Sequence, residues 1–225
     1  MSKRHLKSLN APRSWPIERK KDYWTIRPNP GPHSFRESIS IGVIFTHLLK
    51  YTKNTREVKK LLNEGVVSVN GKVVKEKKFP VGIFDVIELK DGECYRLYYN
   101  QRGKFVIKEI NRKEKDIFIY KVSNKTMIKG GKLQLNLKQG NNFLTKNKEI
   151  NTGDSVIMQG KEIKNILKLG KGSFIYLTGG KHIGHSGTVE SIDERKIVFS
   201  KDKEKLETLK KYAFVVGEKN PLITL

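Results

Sequence analysis

The chain has 225 residues, with 46 Lys+Arg against 23 Asp+Glu, a formal charge of +23 and an isoelectric point near 10.0. Its single cysteine, Cys94, excludes an intrachain disulfide and a cysteine-rich zinc site, and its longest apolar run, around Ile39–Leu49, is far short of the ~20 residues of a membrane span. A cation excess of this size repels itself unless a polyanion relieves it, so nucleic acid is the expected partner and no membrane is.

Residues 1–38 read as a basic, proline-rich arm. Five of the seven prolines lie here (Pro12, Pro16, Pro28, Pro30 and Pro32), and nine basic residues up to Arg36 face only Glu18 and Asp22. Proline at this spacing blocks helix and central strand alike, which predicts an extended segment with no core of its own. The opening MSKRHLKSLN has no apolar stretch behind it, unlike a secretory signal, so an intracellular chain is expected. Trp15, Tyr23 and Trp24 are interleaved with the charge. The arm is either a disordered tail or a segment ordered by nucleic acid, with cations on phosphates and aromatics on bases. Its candidate contacts are Lys3, Arg4, Lys7, Arg13, Trp15 and Arg36.

Residues 39–92 read as a compact module. Ile41, Ile44, Phe45, Leu48 and Leu49 follow the spacing of a one-sided helix. Asn54, with Glu57 three positions on, marks the start of a second helix, whose inner stripe is Val58, Leu61 and Leu62 and whose stop is Gly65. Asn70-Gly71 between β-branched runs marks a hairpin, and Val81–Leu89 supplies a further strand. The basic edge of this module comprises Arg36, Lys50, Lys53, Arg56, Lys59 and Lys60, with Asn70 and Lys72 at the hairpin. The helix N-termini add to phosphate attraction.

Residues 93–169 read as a β-rich domain, with strands expected at Tyr95–Tyr99, Phe105–Ile110, Asp116–Val122 and Ser155–Met158. Residues 121–148 hold seven lysines and no acid, so Lys125, Lys129 and Lys132 are candidate RNA contacts; a solvated face is the alternative. Residues 170–225 are again strand-rich, with Phe174–Leu177, Thr188–Ile192, Lys196–Phe199 and Tyr212–Val216 as strands and Lys203–Lys211 as a short helical turn or charged connection. Between the first two of these strands, Thr178–Gly187 reads TGGKHIGHSG. Gly179, Gly180, Gly184 and Gly187 give backbone access there, with Lys181, His182 and His185 as donors, and Gly187 is expected at a positive φ.

The motifs of nucleotide hydrolysis, metal binding and acid–base catalysis are each incomplete in this sequence. Gly179–Gly184 has the G-x-x-x-x-G spacing of a phosphate loop, but His185 stands where its Lys belongs and a β-rich run follows where its helix belongs. His182 and His185 lack the further ligands of a metal site. The carboxylates are scattered singly among lysines. No catalytic residue, metal, cofactor or small-molecule substrate is therefore expected.

GVVSVNGKVV within the two-helix-plus-hairpin module resembles the alpha-L RNA-binding motif, and TGGKHIGHSGTV resembles the KOW motif. In chain order come KRHLKSLNAP, GPHSFRE, EVKKLLNEG, VNGK, FPVGIFDVIEL, GSFIYLTGGKHIGHSGTV and YAFVVGEKNPLITL. This series is similar, end to end, to the archaeal and eukaryotic type of small-subunit ribosomal protein four. The resemblance implies an α+β, mostly β, multidomain chain: the arm (1–38), an alpha-L module of two helices and a small sheet (39–92), a β-rich central domain (93–169) and an SH3-like KOW barrel (170–225). It further implies a cytoplasmic, ribosome-bound, non-enzymatic protein that holds small-subunit ribosomal RNA beside neighbouring ribosomal proteins. The stop at Leu225, without a basic tail, favours an archaeal member. An accessory module of an RNA-modifying enzyme and a KOW-type transcription-elongation factor are the alternative functions.

Overall fold

In the computed structural model the described residues are 5–128, 131–145, 147, 149–160, 162–201 and 204–225; the candidates Lys3, Arg4 and Lys129 lie outside them. The chain forms two compact units, Met1–Tyr99 with Gly103–Lys115, and Asn100–Arg102 with Asp116–Leu225.

The first unit begins with a short antiparallel pair, β1 (Leu6–Lys7) and β2 (Trp24–Thr25). The loop between them is closed by the Arg19 guanidinium, which donates to the carbonyls of Ala11 at 2.9 Å and Pro12 at 2.7 Å. Trp15 is buried to 1% exposure, and its Nε1–H donates to the Ser38 carbonyl at 2.9 Å. The arm thus carries buried anchors, Leu6, Ala11 and Trp15, where none was expected. Proline forbids regular hydrogen bonding but not burial, and here side chains meet the backbone groups instead.

β3 (Ser38–Ser40) leads into α1 (Ile41–Val43), whose N-cap Ser40 Oγ accepts from Val43 N. The helix continues as a π-turn over Ile44–Leu48, with Leu49 N donating to Ile44 O at 2.9 Å, and Lys50 at φ 56° ends it. Ile41, Ile44 and Phe45 are fully buried, while Leu48 and Leu49 are half-buried. α2 (Thr55–Asn63) starts as its sequence dictates. Asn54 Oδ1 accepts from the Arg56 and Glu57 amides at 3.0 Å, and the Glu57 carboxylate reaches back to Lys53 N at 2.7 Å.

β4 (Val67–Val69) and β5 (Lys72–Val73) form the hairpin, turning through Asn70 and Gly71 at φ 50° and 74°. The single strand expected over Val81–Leu89 is instead two, β6 (Pro80–Gly82), paired with β3, and β7 (Val86–Leu89), separated by Phe84 at φ 66°. β8 (Cys94–Tyr99) and β9 (Phe105–Glu109) extend the hairpin sheet in the order β5-β4-β7-β8-β9. The break expected at 92/93 therefore falls inside one five-stranded sheet, and the compact units divide at 115/116.

The second unit holds two antiparallel five-stranded sheets. The first contains β10 (Ile117–Ile128), β11 (Lys132–Leu137), β12 (Asn142–Thr145), β13 (Ser155–Gln159) and β14 (Glu162–Leu167), ordered β12-β11-β10-β13-β14. β10 runs past its expected end at Val122 because its outer half pairs with β11 while its inner half pairs with β13. The second contains β15 (Phe174–Leu177), β16 (Ser186–Ile192), β17 (Lys196–Lys201), β18 (Glu204–Leu209) and β19 (Ala213–Gly217), ordered β18-β17-β16-β15-β19. Its core includes Ile175, Leu177, Phe199, Phe214 and Val215. β18 corrects the helical turn or connection expected at Lys203–Lys211. It is an edge strand whose charges face outward, with Lys205 reaching Glu190 at 2.8 Å and Glu207 reaching Lys196 at 2.6 Å.

Candidate nucleic-acid interface

α2 buries Val58 and Leu62 and turns Arg56, Lys59 and Lys60 to solvent. Residues three and four apart share a helix face, so these cations form one edge. Lys50 and Lys53 extend it from the turn before the helix. Among the described residues, none of these five side chains takes part in an ion pair. Beside the edge, Glu93 accepts from the hydroxyls of Tyr51 and Tyr95, donors that lower its pKa.

Next to this edge opens a cleft of about 1010 Å³ between the arm and the two helices. Lys50, Lys53 and His47 line one part of it, and Tyr23 and Trp24 another. Trp24 is 54% and Tyr23 61% exposed, and the Lys7 ammonium lies 5.0 Å from the Tyr23 ring centroid. Tyr23, Trp24 and His47 were not among the expected contacts. Their signal in the sequence was only the interleaving of aromatics with charge.

Trp15 is corrected: buried against Phe35 and bonded to Ser38, it has no ring face for a base. Lys7, Arg13 and Arg36 are exposed on the arm, and Lys72 is exposed at the hairpin. Asn70 serves the fold. Its amide donates to Asp85 Oδ1 at 2.8 Å and its oxygen accepts from Val86 N at 2.9 Å. Asp85 in turn accepts from His33 Nε2 at 2.7 Å and Gly82 N at 2.8 Å, tying arm, hairpin turn and β6 together.

In the second unit Lys132 is exposed, whereas Lys125 Nζ donates to the Ile150 carbonyl at 2.5 Å. The glycine-rich loop is a closed turn. Gly184 N donates to Leu177 O at 2.9 Å, so its amide is not offered to a ligand as expected, and His185 N donates to His182 O at 3.2 Å. Gly179 packs under the Tyr212 ring, where a Cβ would lie 2.5 Å from Cδ1; Gly180 borders the same ring. Lys181 is exposed, His182 lies 6.2 Å from the Phe199 ring centroid, and His185 Nδ1 is 3.2 Å from Lys201 Nζ. Gly187 is buried in β16 and is not at a positive φ. A Cβ there would meet Ser200 O at 2.3 Å, so close backbone approach, and not turn geometry, demands the glycine.

No helix among the described residues is long and apolar enough to cross a membrane, and no cluster of metal-ligating side chains occurs among them. Three family models match the sequence: the RS4NT (NUC023) domain over residues 2–36, the S4 domain over 48–87 and the Ribosomal family S4e over 91–164. The small ribosomal subunit protein eS4 of Methanocaldococcus jannaschii is 40% identical, over 99% of this chain and 98% of its own length. This chain belongs to the ribosomal S4e family. The eS4 protein of Archaeoglobus fulgidus is 36% identical, over 98% of this chain and 97% of its own. The crystal structure of the 30S ribosomal protein S4e from Thermoplasma acidophilum superposes with a TM-score of 0.73 at 32% identity, covering 81% of this chain and 96% of that one. The S4e chain described here therefore places its S4 domain, with the exposed edge of α2, inside the first compact unit.

Proposed function

We propose that this chain is a structural component of the small ribosomal subunit, cytoplasmic and ribosome-bound, which binds and positions ribosomal RNA beside neighbouring ribosomal proteins without catalysing a reaction. The observation that carries this is the 40% identity, over 99% of the chain, to a protein named small ribosomal subunit protein eS4. The unpaired cationic edge of Lys50, Lys53, Arg56, Lys59 and Lys60 agrees with it. These residues contact phosphates, with Lys7, Arg13, Arg36, Lys72, Lys132 and Lys181 as further contacts. Lysine acts as a point charge and cannot fork onto a base edge as arginine does, so backbone and shape recognition dominate.

The division into an arm, an alpha-L module, a central β-rich region and a KOW barrel belongs to the same proposal. Five antiparallel strands in β15–β19, with bulges at Phe174/Ile175 and Val189/Ser191, suit an SH3-like barrel, because bulges let a small sheet curl on itself. The experiment is sucrose-gradient sedimentation of the tagged chain in an archaeal lysate at near-physiological salt. Migration with the small subunit is the expected result. Migration with RNA polymerase, or at the top of the gradient, overturns the proposal.

A further inference from the structure

We propose that the cleft between the Tyr23–Trp24 pair and His47, Lys50 and Lys53 takes a single unpaired RNA nucleotide, its base stacked on the Trp24 indole and its phosphate held by the lysines. This rests on the RNA-binding reading above. It adds a place where a base, and not the sugar–phosphate backbone alone, is gripped.

The chain's two tryptophans have opposite environments: Trp15 is 1% exposed and Trp24 is 54% exposed. An indole left in water forgoes the burial that drives folding, and the neighbouring Tyr23, at 61%, does the same. The two rings are nevertheless held in place. Trp24 sits opposite Lys7 in the β1–β2 pair, and Tyr23 stands edge-on to it, with centroids 4.9 Å apart and planes at 87°. Lys7 lies over the Tyr23 ring, and the His5 ring is 5.6 Å from Trp24. Rings fixed this way lose little freedom when a base stacks on them.

The cleft, at about 1010 Å³, matches the upper end of small-ligand sites and has room for a nucleotide. Its charge is mixed. Lys50, Lys53 and His47 lie on the helix side, whereas Glu18, Lys21 and Asp22 lie on the arm side, where Lys21 Nζ is 3.6 Å from Glu18. The cationic side suits one phosphate, and the arm side, with two acids against one lysine, does not continue a phosphate track. A paired A-form helix keeps its base faces stacked, so only an unpaired nucleotide can offer one to the indole. Aromatic stacking tolerates any base, because every base has a π-face.

The test follows Trp24 fluorescence under acrylamide, a neutral quencher, in the full-length protein. The probes are a short single-stranded oligoadenylate and an RNA duplex of equal length. Saturating oligoadenylate should shield the quencher-accessible indole, and the duplex should not. Trp24→Ala should weaken oligoadenylate binding about 5- to 100-fold while duplex binding is unchanged, and Trp24→Phe should retain most of the affinity. The near-UV signal of buried Trp15 reports that the Trp24→Ala arm remains folded. Wild-type oligoadenylate affinity in Trp24→Ala, or an indole still open to acrylamide in the saturated complex, overturns the proposal. So does shielding of Trp24 by small-subunit proteins and not by RNA. Loss of duplex binding on neutralising Arg56, Lys59 and Lys60, together with a wild-type Trp24 that oligoadenylate does not shield, removes this proposal alone. If neither RNA binds at low salt, the RNA-binding reading itself falls.

Discussion

Gly187 is confined by its neighbours on β17. Strand register puts Thr188 opposite Ser200, and a Cβ on Gly187 would lie 2.3 Å from the Ser200 carbonyl oxygen and 3.0 Å from Phe199 Cδ2. Both obstacles are difficult to move: one is backbone, and the other is the ring of a fully buried side chain. Gly187→Ala should therefore push β17 away from β16 and cost about 1–3 kcal/mol, read as a lower urea midpoint, with Gly187→Val worse. A midpoint equal to wild type in the alanine variant contradicts this account. Lys121 shows a different residue-level tension. It is 8% exposed, and its ammonium donates to the carbonyls of Ala213 and, at 3.0 Å, Lys211. Carbonyl acceptors favour the charged form, but burial, with Lys138 and Lys210 nearby, outweighs them and pushes the pKa from 10.5 down to about 8. Between those values the unfolded chain binds more protons than the folded one, so this group makes stability rise with pH in that window. Lys121→Met should lose that rise. The comparison is the denaturation midpoint of each protein at pH 7.5 and about pH 9.5, read against the wild-type slope; an unchanged slope refutes the assignment.

At the scale of elements, α2 is the part of the interface whose role can be isolated. Its caps, Asn54 and Glu57, accept from the backbone amides of Lys53, Arg56 and Glu57, so side-chain charge at Lys53 and Arg56 can be removed without removing the helix start. Replacing Lys53, Arg56 and Lys59 with Gln should weaken RNA binding and flatten the log–log salt slope by roughly 0.7–0.9 per lost contact. Filter binding across a salt series measures it, and a slope equal to wild type takes this face out of the interface. α2 was legible because its signals are local: a cap, a stripe three and four residues apart, and a glycine at φ 66° to stop it. The Asn70-Gly71 turn was legible for the same reason. β18 was not, since Glu204–Leu209 is polar on its own and becomes a strand only by pairing with β17. The outer half of β10 likewise depends on β11. The candidate site was half legible. The exposure of its cations along one edge could be read from charge and helical spacing, but Trp15 and Trp24 sit in similar basic, proline-bounded stretches. Trp15 is buried and Trp24 is not, and the difference lies in the Ser38 carbonyl and the Phe35 ring that meet Trp15, contacts that no local pattern reports.

At the scale of the whole molecule, the charge sets two salt responses of opposite sign. With 46 cations and 23 anions, even complete pairing leaves a surplus of 46 − 23 = 23 positive charges. Existing pairs such as Lys115–Glu88 at 2.9 Å and Lys196–Glu207 at 2.6 Å use acids that are then spent. The surplus works against the compact state, and its reach is the Debye length, about 10 Å at 0.1 M salt and about 3 Å at 1 M. Raising KCl over that range should therefore raise the Tm of the RNA-free chain, as repulsion between distant lysines is screened. The same titration should weaken RNA binding, because the counterions released on binding are then returned to a more concentrated solution. A polyanion should mimic the first effect at low salt: heparin at a small molar excess should raise Tm at about 0.1 M KCl and lose its effect near 1 M. Differential scanning calorimetry distinguishes this from general salting-out, which would keep raising Tm with sulfate beyond the point where screening is complete. A Tm that falls with KCl in the absence of RNA would mean that the local ion pairs outweigh the surplus, and that the isolated fold does not need a polyanion to relieve its charge.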